Sequence, residues 1–175
     1  MKKSFLLVCA VCASFWVNNT VAVAQDKPSR ELSVGQAMPE FVLESAELGR
    51  LSSADLKGKV VLMTFFATWC SPCQQELGDV HSQLWPALQS EKDFVLLVVG
   101  REHTEDALVS YKEFKGFTFP IYPDPKREVY AKFADVTIPR TYLFGKDGKL
   151  IHASKGYEEG DVQKVMEMIR KALKK

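Results

Sequence analysis

The sequence predicts an α/β domain: a mixed central sheet with helices on both faces, preceded by an N-terminal β-hairpin. Two continuous apolar runs, Val60-Val61-Leu62-Met63-Thr64-Phe65-Phe66 and Phe94-Val95-Leu96-Leu97-Val98-Val99, read as strands buried on both sides. Helical patterns separate the early strands, which demands parallel crossovers. Near the C-terminal end, Thr141-Tyr142-Leu143-Phe144 and Lys149-Leu150-Ile151-His152 flank the turn signal Lys146-Asp147-Gly148, an antiparallel hairpin. Parallel and antiparallel neighbours together make the sheet mixed, and the predicted order is β-α-β-α-β-α-β-β-α.

At 175 residues the chain suits one domain with a sizeable core. Its first stretch is set apart. Lys2 and Lys3, an apolar run from Phe5 to Val17, a polar Asn18-Asn19-Thr20 and small residues up to Ala24 read as a signal peptide over 1–24. A retained membrane anchor, or lipid attachment at Cys9 or Cys12, is the weaker reading, since the run is short for a span and Val8 and Val11 stand where a small residue is usual. Residues 25–36 read as a flexible leader and 37–175 as the folded domain.

Cleavage would remove Cys9 and Cys12 and leave Cys70 and Cys73 as the sole cysteines. An exported protein meets an oxidising space, and a lone C-x-x-C there suits redox cycling. Without Lys2 and Lys3, the 23 basic and 22 acidic residues reduce to a balance of −1. Such a balance gives no electrostatic case for nucleic acid.

In chain order, Phe41-Val42-Leu43 and Arg50-Leu51 around Gly49 form the hairpin, expected to cover one sheet edge. Ser52 with Asp55 three residues on marks a short capped turn before Gly58. The buried strand through Phe66 then delivers Trp69-Cys70-Ser71-Pro72-Cys73 to a helix start, with Pro72 in the first turn, where its missing N–H is not needed. Leu77, Val80, Leu84, Trp85 and Leu88 carry that helix to about Gln89, with a kink expected at Pro86.

After the second strand, Thr104 caps a helix to Lys115 whose Ala107, Leu108, Tyr111 and Phe114 share a face. Phe119 to Tyr122 is a short strand, and Pro123-Asp124-Pro125 turns into a helix over about Lys126 to Phe133. Val162, Val165, Met166, Ile169 and Leu173 line an amphipathic last helix with lysines at its C-terminal end.

The chemistry-bearing feature is the C-x-x-C. Cys70 sits where unpaired backbone N–H groups and the helix dipole favour an anion, which should lower its pKa toward neutrality and make it the nucleophile. Cys73, nearly one turn further in, is placed to close the ring and release a bound partner. Zinc is disfavoured: only His81, His103 and His152 could add ligands, and they are scattered. A purely structural disulfide is disfavoured too, because so short a loop hardly constrains the unfolded chain.

These pieces together resemble the thioredoxin fold, and most closely its exported TlpA/ResA-like branch. The resemblance rests on Phe41-Val42-Leu43, Leu56 to Leu62, Phe66-Ala67-Thr68-Trp69-Cys70-Ser71-Pro72-Cys73 with Glu76, Phe119-Pro120, Ile138-Pro139 and the Asp147-Gly148 hairpin. It spans most of the chain from Phe41 onward. It implies a cis Ile138–Pro139 bond facing the cysteines and a substrate segment pairing there in extended form. Trp69, Ile138 and Pro139 become candidate substrate contacts, with Trp69 more a packing lid than a chemical participant.

Thr64 stands where many thioredoxins carry a buried Asp. The acid of this branch falls at Glu76, three residues after Cys73 on the same helical side, which is a catalytic candidate set against a plain solvated Glu favoured by the dipole. The three histidines read as surface or satisfied residues.

The function these features imply is an exported, periplasmic thiol-disulfide oxidoreductase reducing disulfides of exported proteins through Cys70–Cys73, with no cofactor. By resemblance it would be re-reduced by a membrane thiol protein of the CcdA or DsbD type and serve substrates such as apocytochromes in cytochrome c maturation. Ser71-Pro72 between the cysteines brings no ionisable group, which favours a reductant over a DsbA-like oxidant or isomerase. A peroxidase of the peroxiredoxin type is discounted because Met63 and Ala67 replace its Pro and Thr/Ser. A copper chaperone is the non-enzyme alternative, disfavoured by the tight cysteine spacing.

Overall fold

The structure is a computed structural model that describes residues 31–175. The signal-peptide reading of 1–24 and the leader as far as residue 30 lie outside the described residues. Among the described residues, seven strands form two sheets. β1 (Val42–Ser45) and β2 (Gly49–Ser52) pair as an antiparallel hairpin, and Gly49 enters it at φ 76°. The other five are β3 (Val60–Phe66), β4 (Phe94–Arg101), β5 (Ile121–Asp124), β6 (Arg140–Phe144) and β7 (Leu150–Lys155), in the order β5-β4-β3-β6-β7. β3, β4 and β5 run parallel, while β6 and β7 are antiparallel additions, as the sequence predicts.

β3 is central and buried along its whole length. Side chains alternate across a strand, so Val60, Leu62 and Phe66 meet one cluster and Val61, Met63 and Phe65 the other. The first cluster packs under α1 (Ser71–Asp79), α2 (Trp85–Leu88), α3 (Glu105–Lys115) and α5 (Asp161–Leu173), to which it contributes Leu77, Leu88, Leu108 and Ile169. The second is an aromatic layer of Phe41, Phe65, Tyr130, Phe133 and Tyr142, covered by the hairpin and by α4 (Tyr130–Phe133). Gly100 is needed where α3 crosses β4: a Cβ there would stand 2.6 Å from Leu108 Cδ2.

Three elements differ from the sequence expectation. The helix after the cysteines does not run evenly to Gln89. It widens into a π turn over Val80–Leu84, where the Trp85 N–H reaches the Val80 carbonyl, and resumes as α2. Pro86 has no N–H for the Ser82 carbonyl and its ring would press on it, so the backbone passes that position by a wider turn.

The helix expected over Lys126–Phe133 shrinks to α4, because Pro123 and Asp124 belong to edge strand β5, where a proline is tolerated. Asp124 is buried and accepts the N–H groups of Val129 and Tyr130 at 3.1 and 2.8 Å, which starts the helix late. On α3, Phe114 is 84% exposed rather than on the buried face.

The short turn Ser53–Leu56 forms with its cap: Ser52 N–H and Oγ both donate to Asp55 Oδ2, at 2.8 and 2.6 Å. From Glu31 onward the chain is held to the far end of the sheet. Arg140 donates to Glu31 Oε1 at 2.7 Å, Gly35 N–H bonds the Leu150 carbonyl, and Ala37 bridges Lys149.

Candidate functional site

β3 leaves the sheet at Phe66, and four residues later the chain enters α1. Cys70 is the N-cap residue, extended at φ −86° and ψ 106°, and its Sγ accepts the Cys73 N–H at 3.3 Å. Pro72 occupies the first turn, where no N–H is missed. The two sulfurs form a disulfide. Cys70 keeps 6% of its surface and Cys73 none, so the outer cysteine is far more enclosed than an open nucleophile, and only its rim reaches solvent.

The Ile138–Pro139 peptide is cis, and the Ile138 carbonyl oxygen lies 3.8 Å from Cys70 Sγ. The loop and the dithiol are therefore brought together, although 68 residues apart in the chain. Trp69 departs from the expected packing lid: it is 67% exposed. Among the described residues little covers the indole, so it stands beside the cysteines as an exposed apolar surface.

Glu76 is not a solvated first-turn acid. It is buried one turn beyond Cys73, and its carboxyl points at the sheet rather than at water. The alternation that sends Val61 and Met63 to the aromatic face sends Thr64 to the α1 face, and Thr141 is its register partner on β6. Thr141 Oγ1 donates to Glu76 Oε1 at 2.6 Å and Thr64 Oγ1 to Oε2 at 3.0 Å, the two hydroxyls lying 3.0 Å apart. Burial raises the Glu76 carboxyl to about 7, against the pull of the two threonine hydrogen bonds and with a smaller push from Asp161. A small cavity beside it, lined by Val80, Ser154 and Asp161, runs toward α5.

Sequence reasoning missed what four residues contribute: Thr64, Thr141, Gln74 and His103. Thr141 was legible only as a polar residue in an apolar strand, and Thr64 only as standing where many thioredoxins carry a buried Asp; their register with one another is a property of the sheet. Gln74 donates through Nε2 to the Thr68 carbonyl at 2.6 Å and accepts from Lys115 Nζ at 3.0 Å. His103 accepts the Thr68 N–H at 3.0 Å, so this histidine is a partner of the cysteine loop and not a bystander. His81 packs against the stacked rings of Phe117 and Phe119, and His152 is half-buried near Asp161.

The arrangement can perform dithiol exchange: two sulfurs at a helix N-terminus, a backbone carbonyl edge across from them, and a buried acid poised near neutrality behind them. Known proteins agree. The AhpC/TSA family model matches residues 34–153. The thiol-disulfide oxidoreductase ResA of Bacillus cereus is 28% identical over 159 residues, covering 89% of this chain and 91% of the relative.

Among solved structures, a putative protein disulfide isomerase from Bacteroides thetaiotaomicron superposes with a TM-score of 0.78 at 26% identity, over 82% of this chain and 92% of the other. A putative thiol:disulfide interchange protein DsbE from Chlorobium tepidum gives 0.69 at 26% identity, over 82% and 99%. With the dithiol at the helix start and these relatives in hand, the chain belongs to the AhpC/TSA family and is a thiol-disulfide oxidoreductase of thioredoxin-like fold and ResA/DsbE type, its redox pair Cys70 and Cys73.

Proposed function

We propose that the protein works as an exported reductant of protein disulfides. In the reduced form, Cys70 thiolate attacks one sulfur of a substrate disulfide. A Cys70–substrate bond forms, the substrate S–S bond breaks, and one substrate sulfur leaves as a thiolate that takes a proton from water. The substrate segment lies along Ile138-Pro139, with the Ile138 carbonyl as its backbone partner and Trp69 as its apolar wall.

Cys73 passes its proton to the Glu76 carboxylate and attacks Cys70 Sγ. The second substrate thiol is released, and the protein has given two electrons and become the disulfide. Glu76 suits this role because a carboxyl poised near 7 exchanges protons at working pH.

The single observation that carries this reading is the Cys73 N–H aimed at Cys70 Sγ at the start of α1, which stabilises negative charge on the outer sulfur. The reducing direction is supported by Ser71-Pro72, which supply no charge between the cysteines to hold them reduced. Re-reduction by a membrane thiol protein of the CcdA or DsbD type completes the cycle, and exported polypeptides, apocytochromes among them, are the substrates. The leader pattern over 1–24 supports export.

Equilibration of the Cys70–Cys73 pair in defined thiol buffers tests the direction. A potential close to that of thioredoxin, about −270 mV, is expected; one near the DsbA end, about −120 mV, would turn the assignment into an oxidant.

A further inference from the structure

The loop that carries the nucleophile is held by a side chain that the exchange chemistry does not use. β3 ends at Phe66, so the sheet ladder does not supply partners for Thr68. Both of its backbone groups are nevertheless taken by side chains from elsewhere. Its carbonyl accepts Gln74 Nε2 at 2.6 Å, and its N–H donates to His103 Nε2 at 3.0 Å. The Thr68 hydroxyl lies 3.4 Å from the same ring nitrogen.

An imidazole nitrogen accepts a hydrogen bond only when it carries no proton, so this contact requires the neutral ring with its hydrogen on Nδ1. An imidazolium would set one N–H against another. The backbone also bends to make the contact. Glu102 sits at φ 62°, a left-handed conformation uncommon for a residue with a Cβ, its N–H tied to the Asp124 carbonyl at 2.9 Å. That bend turns His103 back from the end of β4 over the Phe66 ring toward Thr68.

We propose that His103 is a positioning residue of the dithiol site: as a neutral ring it pins Thr68, and through it the Trp69–Cys70 entry to α1, and on protonation it releases them and slows Cys70. The kinetic part rests on the reading of Cys70 as the nucleophile. The charged groups acting on the ring are Glu102, which favours its protonated form, and Arg101, which opposes it; these two also pair with each other at 2.7 Å. From β3 and its loop the ring meets Phe66 and Thr68, which carry no charge, and Tyr111 of α3 packs at a tilt against the same Phe66.

Burial outweighs the other influences and holds the ring below the usual histidine range. The pin is therefore closed at neutral pH and opens only as the solution becomes acidic.

Two measurements decide it. In the oxidised protein no cysteine titrates, so the Thr68 amide proton, followed by NMR from pH 8 to 5 in a Glu76→Gln background that removes the carboxyl titrating near 7, reads the pin. It should move upfield with the same midpoint as the His103 ring signals, and it should be flat in His103→Gln, whose side-chain oxygen accepts at every pH. The second measurement is the rate at which the reduced protein attacks 4,4′-dithiodipyridine. At pH 7.5 His103→Ala should be slower by about fivefold, the worth of one hydrogen bond, with His103→Gln restored to near the wild-type rate.

Between pH 7.5 and 5 the ratio of wild-type to His103→Gln rates should fall in step with the protonated fraction of His103 read from its ring signals, toward about the same factor when the ring is fully protonated. A flat ratio, a ratio that rises because an imidazolium activates Cys70, or a Thr68 amide indifferent to the ring's titration overturns the proposal. Reaction persisting in Cys70→Ser overturns the nucleophile assignment and the kinetic half with it, whereas the amide titration judges the pin by itself.

Discussion

Glu76 shows how one residue acquires a role from its surroundings. Its raised carboxyl is protonated in the folded protein at pH values where the unfolded chain, with an ordinary value of 4.5, is already ionised. The folded state then binds the extra proton, so this contribution to stability is full below about pH 4.5 and is lost as pH rises to about 7, a change of about 3 kcal/mol. Glu76→Gln should flatten that slope: thermal melts of the oxidised variant should exceed wild type most at pH 8 and least at pH 4. Parallel melting curves for the two proteins would remove the buried titration.

The same variant should slow the second half of the exchange and accumulate mixed disulfide, because Cys73 loses its proton acceptor. For the sulfurs themselves, Cys70→Ser should abolish insulin reduction and Cys73→Ser should trap substrate as a stable adduct, visible by non-reducing gel or mass spectrometry. Full turnover by Cys70→Ser would mean another group is the nucleophile. The cysteines were legible from spacing alone; the burial of Glu76 was not, because an acid in the first turns of a helix is equally at home in solvent.

At the scale of elements, the strands were the readable part and the helix lengths were not. An apolar run such as Val60–Phe66 has one stable use, between two layers, whereas the residues after Cys73 satisfy a helical period without revealing that Pro86 forces a π turn ahead of it. β5 and α4 illustrate the same limit. Pro123-Asp124-Pro125 looks like a turn, yet its first two residues lie in an edge strand, and the Asp124 carboxylate caps the next helix from there.

Asp124→Ala leaves two N–H groups without their acceptor beneath α4 and should cost about 3 kcal/mol in urea unfolding. A loss under about 1 kcal/mol would mean that water replaces the carboxylate and that the cap is not what positions α4.

Across the whole molecule, the α1 face of the sheet is closed by α5, whose Ile169 is fully enclosed beside residues that pack under the dithiol helix. Ile169→Ala should cost about 2–5 kcal/mol. Tryptophan fluorescence and far-UV circular dichroism should lose structure together, since α1 and α5 share one core. Separate transitions would divide the molecule where one cluster now runs.

The sequence by itself determined the fold class, the crossover and hairpin pattern, and the dithiol at a helix start, since hydrophobic periodicity, turn residues and cysteine spacing act locally along the chain. Only the tertiary structure decided that Thr64 and Thr141 meet over Glu76, that Trp69 is exposed rather than packed, and that His103 grips Thr68. Those contacts join segments tens of residues apart, and strand register and layer packing, which no local pattern encodes, set their distances.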